Sequence, residues 1–216
     1  MHNSLMNSAF PYRLYLVISE ADCKGRDIVW VTEQAIKGGV QVVQLREKHK
    51  SFEAFAKVAV RLKNMLDNYN VPLIINDNID VALACGARGL HVGNTDLPPS
   101  LVMQQWPKCT MLGYSIEYIE QLYKDEVSHA THLGISPVFS TPTKTNTVTE
   151  WGLEGIAKIK TLTNKPLVAI GRMNADNAYG VITAGADCIA VVSAICGAED
   201  PANAAEAIRN QIEKAL

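Results

Sequence analysis

A chain of 216 residues that is 48% hydrophobic, 19% charged and 6% aromatic has the aliphatic content for one compact domain and too little charge for a disordered one. Twenty Lys and Arg against 22 Asp and Glu leave a net charge of −2, without the basic surplus with which a nucleic-acid binder displaces counterions. No run reaches the ~18 apolar residues of a membrane span, the start lacks the basic and apolar regions of a secretory leader, and Cys23, Cys85, Cys109, Cys188 and Cys196 form no metal or redox motif. A soluble, cytoplasmic protein with buried, reduced thiols is expected, with neither nucleic acid nor membrane as a partner.

Residues 1–12 read as an N-terminal arm and 13–216 as a single domain. Apolar runs with strand character follow at 13–18 (RLYLVI), 40–47 (VQVVQLRE), 71–77 (VPLIIND), 89–93 (GLHVG), 111–115 (MLGYS), 131–139 (THLGISPVF), 166–171 (PLVAIG) and 188–195 (CIAVVSAI). Between them lie stretches with helical spacing at 29–39, 51–69, 78–87, 97–107, 117–130, 153–163 and 174–186, and one more follows at 200–216. Several strands are continuous apolar runs, as in parallel strands covered by helices. Eight strand–helix units in this length fit an α/β fold of the (β/α)8 barrel type better than an open doubly wound sheet, and no GxGxxG follows the first strand. Gly86 and Gly185 end helices just ahead of the fourth and eighth strands, which repeats the same punctuation.

In such a barrel the loops leaving the C-terminal ends of the strands share one mouth, so polar residues there are the candidates for chemistry. The second strand ends in Gln44, Arg46, Glu47 and Lys48, the third in Asn76 and Asp77, and the fourth runs into Asn94 and Asp96. Ser115 ends the fifth, Thr141, Pro142, Thr143 and Lys144 follow the sixth, Gly171 ends the seventh, and Ser193 lies at the eighth. Arg46, Lys48 and Lys144 facing Asp77 and Asp96 suit a diphosphate bridged by Mg²⁺, which takes one or two carboxylates and completes its shell with water and phosphate oxygens. The same residues can also be read as ion pairs closing the barrel top, but surface pairs add little stability. Gly171 and Ser193 suggest a second phosphate pocket after the last two strands, with Thr141 and Thr143 between the two sites. Small-residue packing is the other reading of that Gly and Ser. His91, inside the fourth strand, reads as a core or supporting histidine rather than a general base, while His49, His129 and His132 read as surface or strand-edge residues.

The segments QLREK, IIND, HVGNTDLP, PVFSTPTK, GLEG, VAIG and VVSAI, in this order and along nearly the whole chain, resemble the thiamine phosphate synthase family. That resemblance implies a (β/α)8 barrel and a transferase. Its members couple 4-amino-2-methyl-5-hydroxymethylpyrimidine diphosphate to a thiazole phosphate, releasing pyrophosphate from a dissociative, Mg²⁺-assisted substitution. It further implies that Gln44, Leu45, Arg46, Glu47, Lys48, Asn76, Ser115 and Lys144 hold the pyrimidine diphosphate, with Arg46, Lys48, Ser115 and Lys144 acting in catalysis. Asp77 and Asp96 would bind Mg²⁺, and Thr141, Pro142, Thr143, Gly171, Val192 and Ser193 the thiazole phosphate.

Three positions depart from the family pattern: Asn94 where Gln is usual, Arg172 where a second Gly follows Gly171, and Ser136 where Gly precedes Pro137. Arg172 is expected to add a cation to the phosphate loop. The related thiazole tautomerase branch tends to lack Lys48, the Asp pair and the TPTK loop, all present here. A non-catalytic thiamine-phosphate binder would have no need of Asp77, Asp96 and Lys144. Carboxylation of the thiazole, closure of the 143–150 loop and the oligomeric state, including a homo-oligomer, are left open by the sequence.

Overall fold

The computed structural model describes residues 10–140 and 149–216. Eight parallel strands, β1 (Leu14–Ile18), β2 (Val42–Leu45), β3 (Leu73–Asn76), β4 (Gly89–Val92), β5 (Met111–Ile116), β6 (His132–Ile135), β7 (Leu167–Ile170) and β8 (Cys188–Val191), pair in chain order and close into a barrel. Around it lie α1 (Ile28–Lys37), α2 (Phe52–Asp67), α3 (Ile79–Cys85), α4 (Pro99–Gln105), α5 (Glu126–His129), α6 (Gly152–Leu162), α7 (Ala175–Thr183), α8 (Ser193–Cys196) and α9 (Pro201–Lys214). The (β/α)8 barrel expected from the sequence is therefore the fold.

Two-residue alternation along each strand sorts the apolar residues into two cores. Leu14, Leu16 and Ile18 face outward into the layer between strands and helices, whereas Tyr15 and Val17 face the barrel axis with Val42, Ile74, Met111, Val168 and Cys188. The outer layer is completed by helix stripes such as Phe55, Val58, Ala59, Leu62 and Leu66 of α2, a spacing of three and four that keeps one face buried. Each large side chain buried there contributes about 1.5–3 kcal/mol. Asp27 caps α1 by accepting from the Val29 and Trp30 amides, and Asp200 caps α9 in the same way. All five cysteines are buried and free. Among the described residues no helix is long and apolar enough to cross a membrane.

Two elements differ from the sequence reading. The run 188–195 leaves the sheet after Val191, and Ser193–Cys196 turns into α8. The stretch 117–130 is not one helix but a 3-10 turn, Ile119–Tyr123, followed by the short α5. The buried Gln121 explains this: its Oε1 accepts from the Glu117 and Tyr118 amides at 2.6 and 3.1 Å while its Nε2 donates to the Ser115 carbonyl at 3.1 Å. These bonds pin the chain to the end of β5 and satisfy donors that a continuous helix would leave open at its start. Phe10, placed by sequence in the N-terminal arm, is buried and packs into the lower end of the barrel.

Candidate active site

The C-terminal ends of the strands surround an open cleft of the kind that holds small ligands at this end of a barrel. Inward alternation delivers its floor: Asn76, His91 and Ser115 lie side by side because Asn76 pairs with His91 and His91 with Gly113, two residues before Ser115. The His91 Nε2 and the Ser115 Oγ are 2.9 Å apart. Room for the imidazole comes from Gly113, where a Cβ would collide with both His91 and His132, and from Gly134, where it would approach the His91 ring to 3.0 Å.

One wall carries the charges. Asp77 follows β3 with φ 62, a left-handed conformation that Asp tolerates better than most residues. This turns its carboxylate back over the cleft, where its Oδ2 accepts from Asn76 Nδ2 at 2.5 Å and lies 3.3 Å from Lys48 Nζ. Asp96 arrives from the loop after β4, fixed by the Gly93 amide donating to its Oδ2 at 2.8 Å. Burial, reinforced by the neighbouring Asp96 and opposed by Lys48, raises the Asp77 carboxyl from its ordinary range to about 6. Two carboxylates held this close, with one reluctant to ionise, form a donor set that a hard divalent cation would relieve. Arg46 lines the cleft beside Lys48, held in place by its amide donating to the Ile18 carbonyl at 2.9 Å.

The opposite wall is built around small residues and carries one arginine. Gly171 has φ 116, and a Cβ there would sit 2.8 Å from that of Pro137, so only glycine lets the exit of β7 pass the loop after β6 this closely. Ser136, Arg172, Val192 and Ser193 line the cleft next to it.

The structure thus brings Arg46, Lys48, Asn76, Asp77, Asp96, Ser115, Gly171, Val192 and Ser193 around one cleft. Thr141, Pro142, Thr143 and Lys144 lie outside the described residues. Leu45 faces the helix layer and Glu47 turns away, its carboxylate accepting from the Glu20 amide at 2.7 Å and lying 4.0 Å from Lys50. Gln44 is buried inside the barrel, donating to the Tyr15 hydroxyl at 3.2 Å. Asn94 holds the loop after β4 against β5: it accepts from Tyr114 and Gln121 and donates to Glu117 at 2.9 Å.

His132 is corrected from a surface or strand-edge position to a fully buried one on the barrel axis, stacked on Phe10 with ring centroids 4.1 Å apart. The period of two along His-Leu-Gly-Ile carried that information, since Leu133 and Ile135 face the helices and leave His132 and Gly134 for the interior. The sequence reading also passed over Asp22, which lines the cleft after β1 and accepts from the Ser19 amide and hydroxyl at 3.0 and 2.6 Å. The loop after the first strand shares the mouth, so the same strand-end rule points to Asp22.

A family model described as thiamine monophosphate synthase matches residues 14–195. A thiamine-phosphate synthase of Albidiferax ferrireducens is 45% identical over 201 residues, spanning 93% of this chain and 92% of the relative. One of Leptospira biflexa is 45% identical over 202 residues, spanning 92% and 96%. The solved thiamine phosphate pyrophosphorylase of Pyrococcus furiosus superposes with a TM-score of 0.87 at 32% identity, covering 97% of this chain and 100% of that one. The cleft is therefore the mouth of a barrel of known kind, and the chain belongs to the thiamine monophosphate synthase family of transferases.

Proposed function

We propose that this chain joins 4-amino-2-methyl-5-hydroxymethylpyrimidine diphosphate to a thiazole phosphate, releasing pyrophosphate and forming thiamine phosphate. The observation that carries the reading is the single cleft with two unlike walls: Arg46, Lys48, Asp77 and Asp96 on one, Gly171, Val192 and Ser193 on the other. A diphosphate fits the first wall, where Arg46 offers a planar fork of donors and Lys48 a compact charge. Asp77 and Asp96 would hold Mg²⁺, which when bound supplies charge neutralisation for the diphosphate as it leaves.

The bond broken is that between the pyrimidine methylene carbon and the diphosphate oxygen, and its electron pair leaves with the diphosphate. The thiazole nitrogen then donates its lone pair to the methylene carbon, so the products balance without an acid or base being consumed. Arg46 and Lys48 stabilise charge that grows on the leaving oxygens. Asn76 and Ser115, with His91 fixing the Ser115 hydroxyl, orient the pyrimidine on the floor. The wall at Gly171 and Ser193 seats the thiazole phosphate so that its nitrogen waits at the carbon being released. Lys144, Thr141, Pro142 and Thr143 belong to the same assignment through the family motif. A cytoplasmic setting agrees with five buried free cysteines.

Purified protein supplied with both substrates and Mg²⁺ should release pyrophosphate, and the Asp77→Ala, Asp96→Ala double variant should not. Absence of turnover in the wild type, or full turnover in the double variant, would overturn the reading.

A further inference from the structure

We infer that Arg172 is a specificity-determining residue of this cleft: its guanidinium contacts an oxyanion of the second substrate, the thiazole phosphate. The inference rests on the function proposed above and assigns a role to a side chain which that function does not use.

Arg172 has φ 55 directly after Gly171 at φ 116, so the chain leaves β7 through two successive residues in conformations that favour glycine. An arginine kept in such a conformation at the edge of a cleft is strain located at a site of function. The surrounding structure enforces the conformation. Asn177 Nδ2 donates to the Arg172 carbonyl at 2.9 Å, while the Asn177 Oδ1 accepts from the Asn174 amide at 3.0 Å. The reciprocal cap at the start of α7 thus clamps the residue from below.

The charge is also unspent. Among the described residues the Arg172 guanidinium forms neither a salt bridge nor a hydrogen bond, whereas Lys48 across the cleft lies 3.3 Å from Asp77. Arg172 lines the cleft together with Ser136 and Ser193, two hydroxyl donors from the neighbouring strand ends, on the wall away from the Asp pair. A cation and two hydroxyls on one wall suit a phosphate oxygen or a carboxylate of the substrate bound there, and suit the pyrimidine diphosphate on the far wall less well. Asp22, which also borders the cleft, is engaged by Ser19 and does not neutralise Arg172.

The test compares wild type with Arg172→Gln, which keeps the length and removes the charge, and with Arg172→Gly, which removes the side chain and relaxes the backbone. Calorimetry measures binding of thiazole phosphate, its 2-carboxylate and the unphosphorylated thiazole alcohol, and steady-state assays give both KM values. Both variants should bind the 2-carboxylate of thiazole phosphate about tenfold more weakly, the loss of one charge-assisted contact, with KM for the pyrimidine diphosphate unchanged. If the contact is to the phosphate, the loss appears with both phosphorylated ligands and vanishes with the alcohol. If it is to the ring carboxylate, it appears with the 2-carboxylate alone. Variants that bind all three ligands as wild type does, in an enzyme that turns over, overturn this inference and leave the proposed function standing. A wild type that neither turns over nor binds any thiazole overturns both. A loss confined to the pyrimidine diphosphate also refutes it, because it would place Arg172 on the other wall.

Discussion

At the C-terminal mouth of the barrel Asp77, Lys48, Asn76 and Ser115 converge on an open cleft, and burial, with Asp96 beside it, pushes the Asp77 carboxyl up to about 6. At the opposite end Phe10 lies on His132, Tyr15 sits within 6.4 Å of the same imidazole, and the histidine is fully buried, its Nε2 without a hydrogen-bond partner among the described residues. Both ends bury polar groups at a cost, yet they differ in what relieves it. The groups at the mouth face a space where a cation and anions can satisfy them, whereas those below face aromatic rings. The cost at the mouth is thus recovered in binding, and the cost at the lower end of the barrel is a matter of packing alone.

Substitution at the charged wall should separate the two ends most sharply. Asp77→Asn keeps the left-handed backbone that Asn also tolerates and removes the charge. Its pyrophosphate release should fall by about 10³-fold, the scale of losing a main electrostatic contact to the leaving group. Thermal melts of the metal-free protein at pH 7.5 should show no loss of stability, because the variant also removes the repulsion from Asp96. A melting temperature that drops together with activity would make Asp77 a structural residue and erase the contrast.

Phe10→Ala should do the reverse. Emptying the space beneath His132 should cost about 3 kcal/mol by chemical denaturation. Turnover of the folded fraction, measured well below the midpoint, should stay within about twofold of wild type. If activity falls while stability holds, the plug at the floor is coupled to the cleft through the His132 and His91 rings, whose centroids are 6.2 Å apart.

How much of this contrast was readable beforehand depended on period and on strand ends. The barrel followed from eight apolar runs, and Asp77, Asp96, Arg46 and Lys48 followed from their places just beyond those runs, because chain direction alone puts such residues on one rim. Side-chain direction was harder to read. Within the segment Gln44 to Lys48, only alternation separates Arg46, which lines the cleft, from Leu45, which faces the helices, and the turn of Glu47 toward Glu20 is a loop contact that no period reveals. His132 was misplaced because a polar residue at a strand start resembles an edge. Its true position depends on Gly113 and Phe10, 19 and 122 residues away in sequence, which provide space for the ring and cover it. The clamp at Arg172 likewise needs Asn174 and Asn177 folded into a cap before it exists.

The smallest effect, and the finest division between the two ends, is in the pH dependence of metal-free stability. Asp77 has a folded pKa near 6, above its unfolded value, so the folded state holds the extra proton and this contribution to stability is lost as pH rises from about 4 to about 6. His132 is the opposite case: burial, with His91 nearby, holds its pKa well below the ordinary 6.5, so the unfolded state takes up the proton first and stability is lost as pH falls below about 6.5. In the wild type the two slopes oppose each other across the same window. Subtracting wild-type melting temperatures from those of Asp77→Asn, measured from pH 4 to 7, should give a difference that grows more positive with rising pH. The corresponding difference for His132→Leu, which also removes an unbonded buried nitrogen, should grow more positive as pH falls. Mg²⁺ should shrink the first difference, because bound metal stabilises only the chain that keeps both carboxylates, and should leave the second unchanged. Two differences that change in the same direction with pH, or a response of the second to Mg²⁺, would mean that the ends of the barrel titrate as one unit.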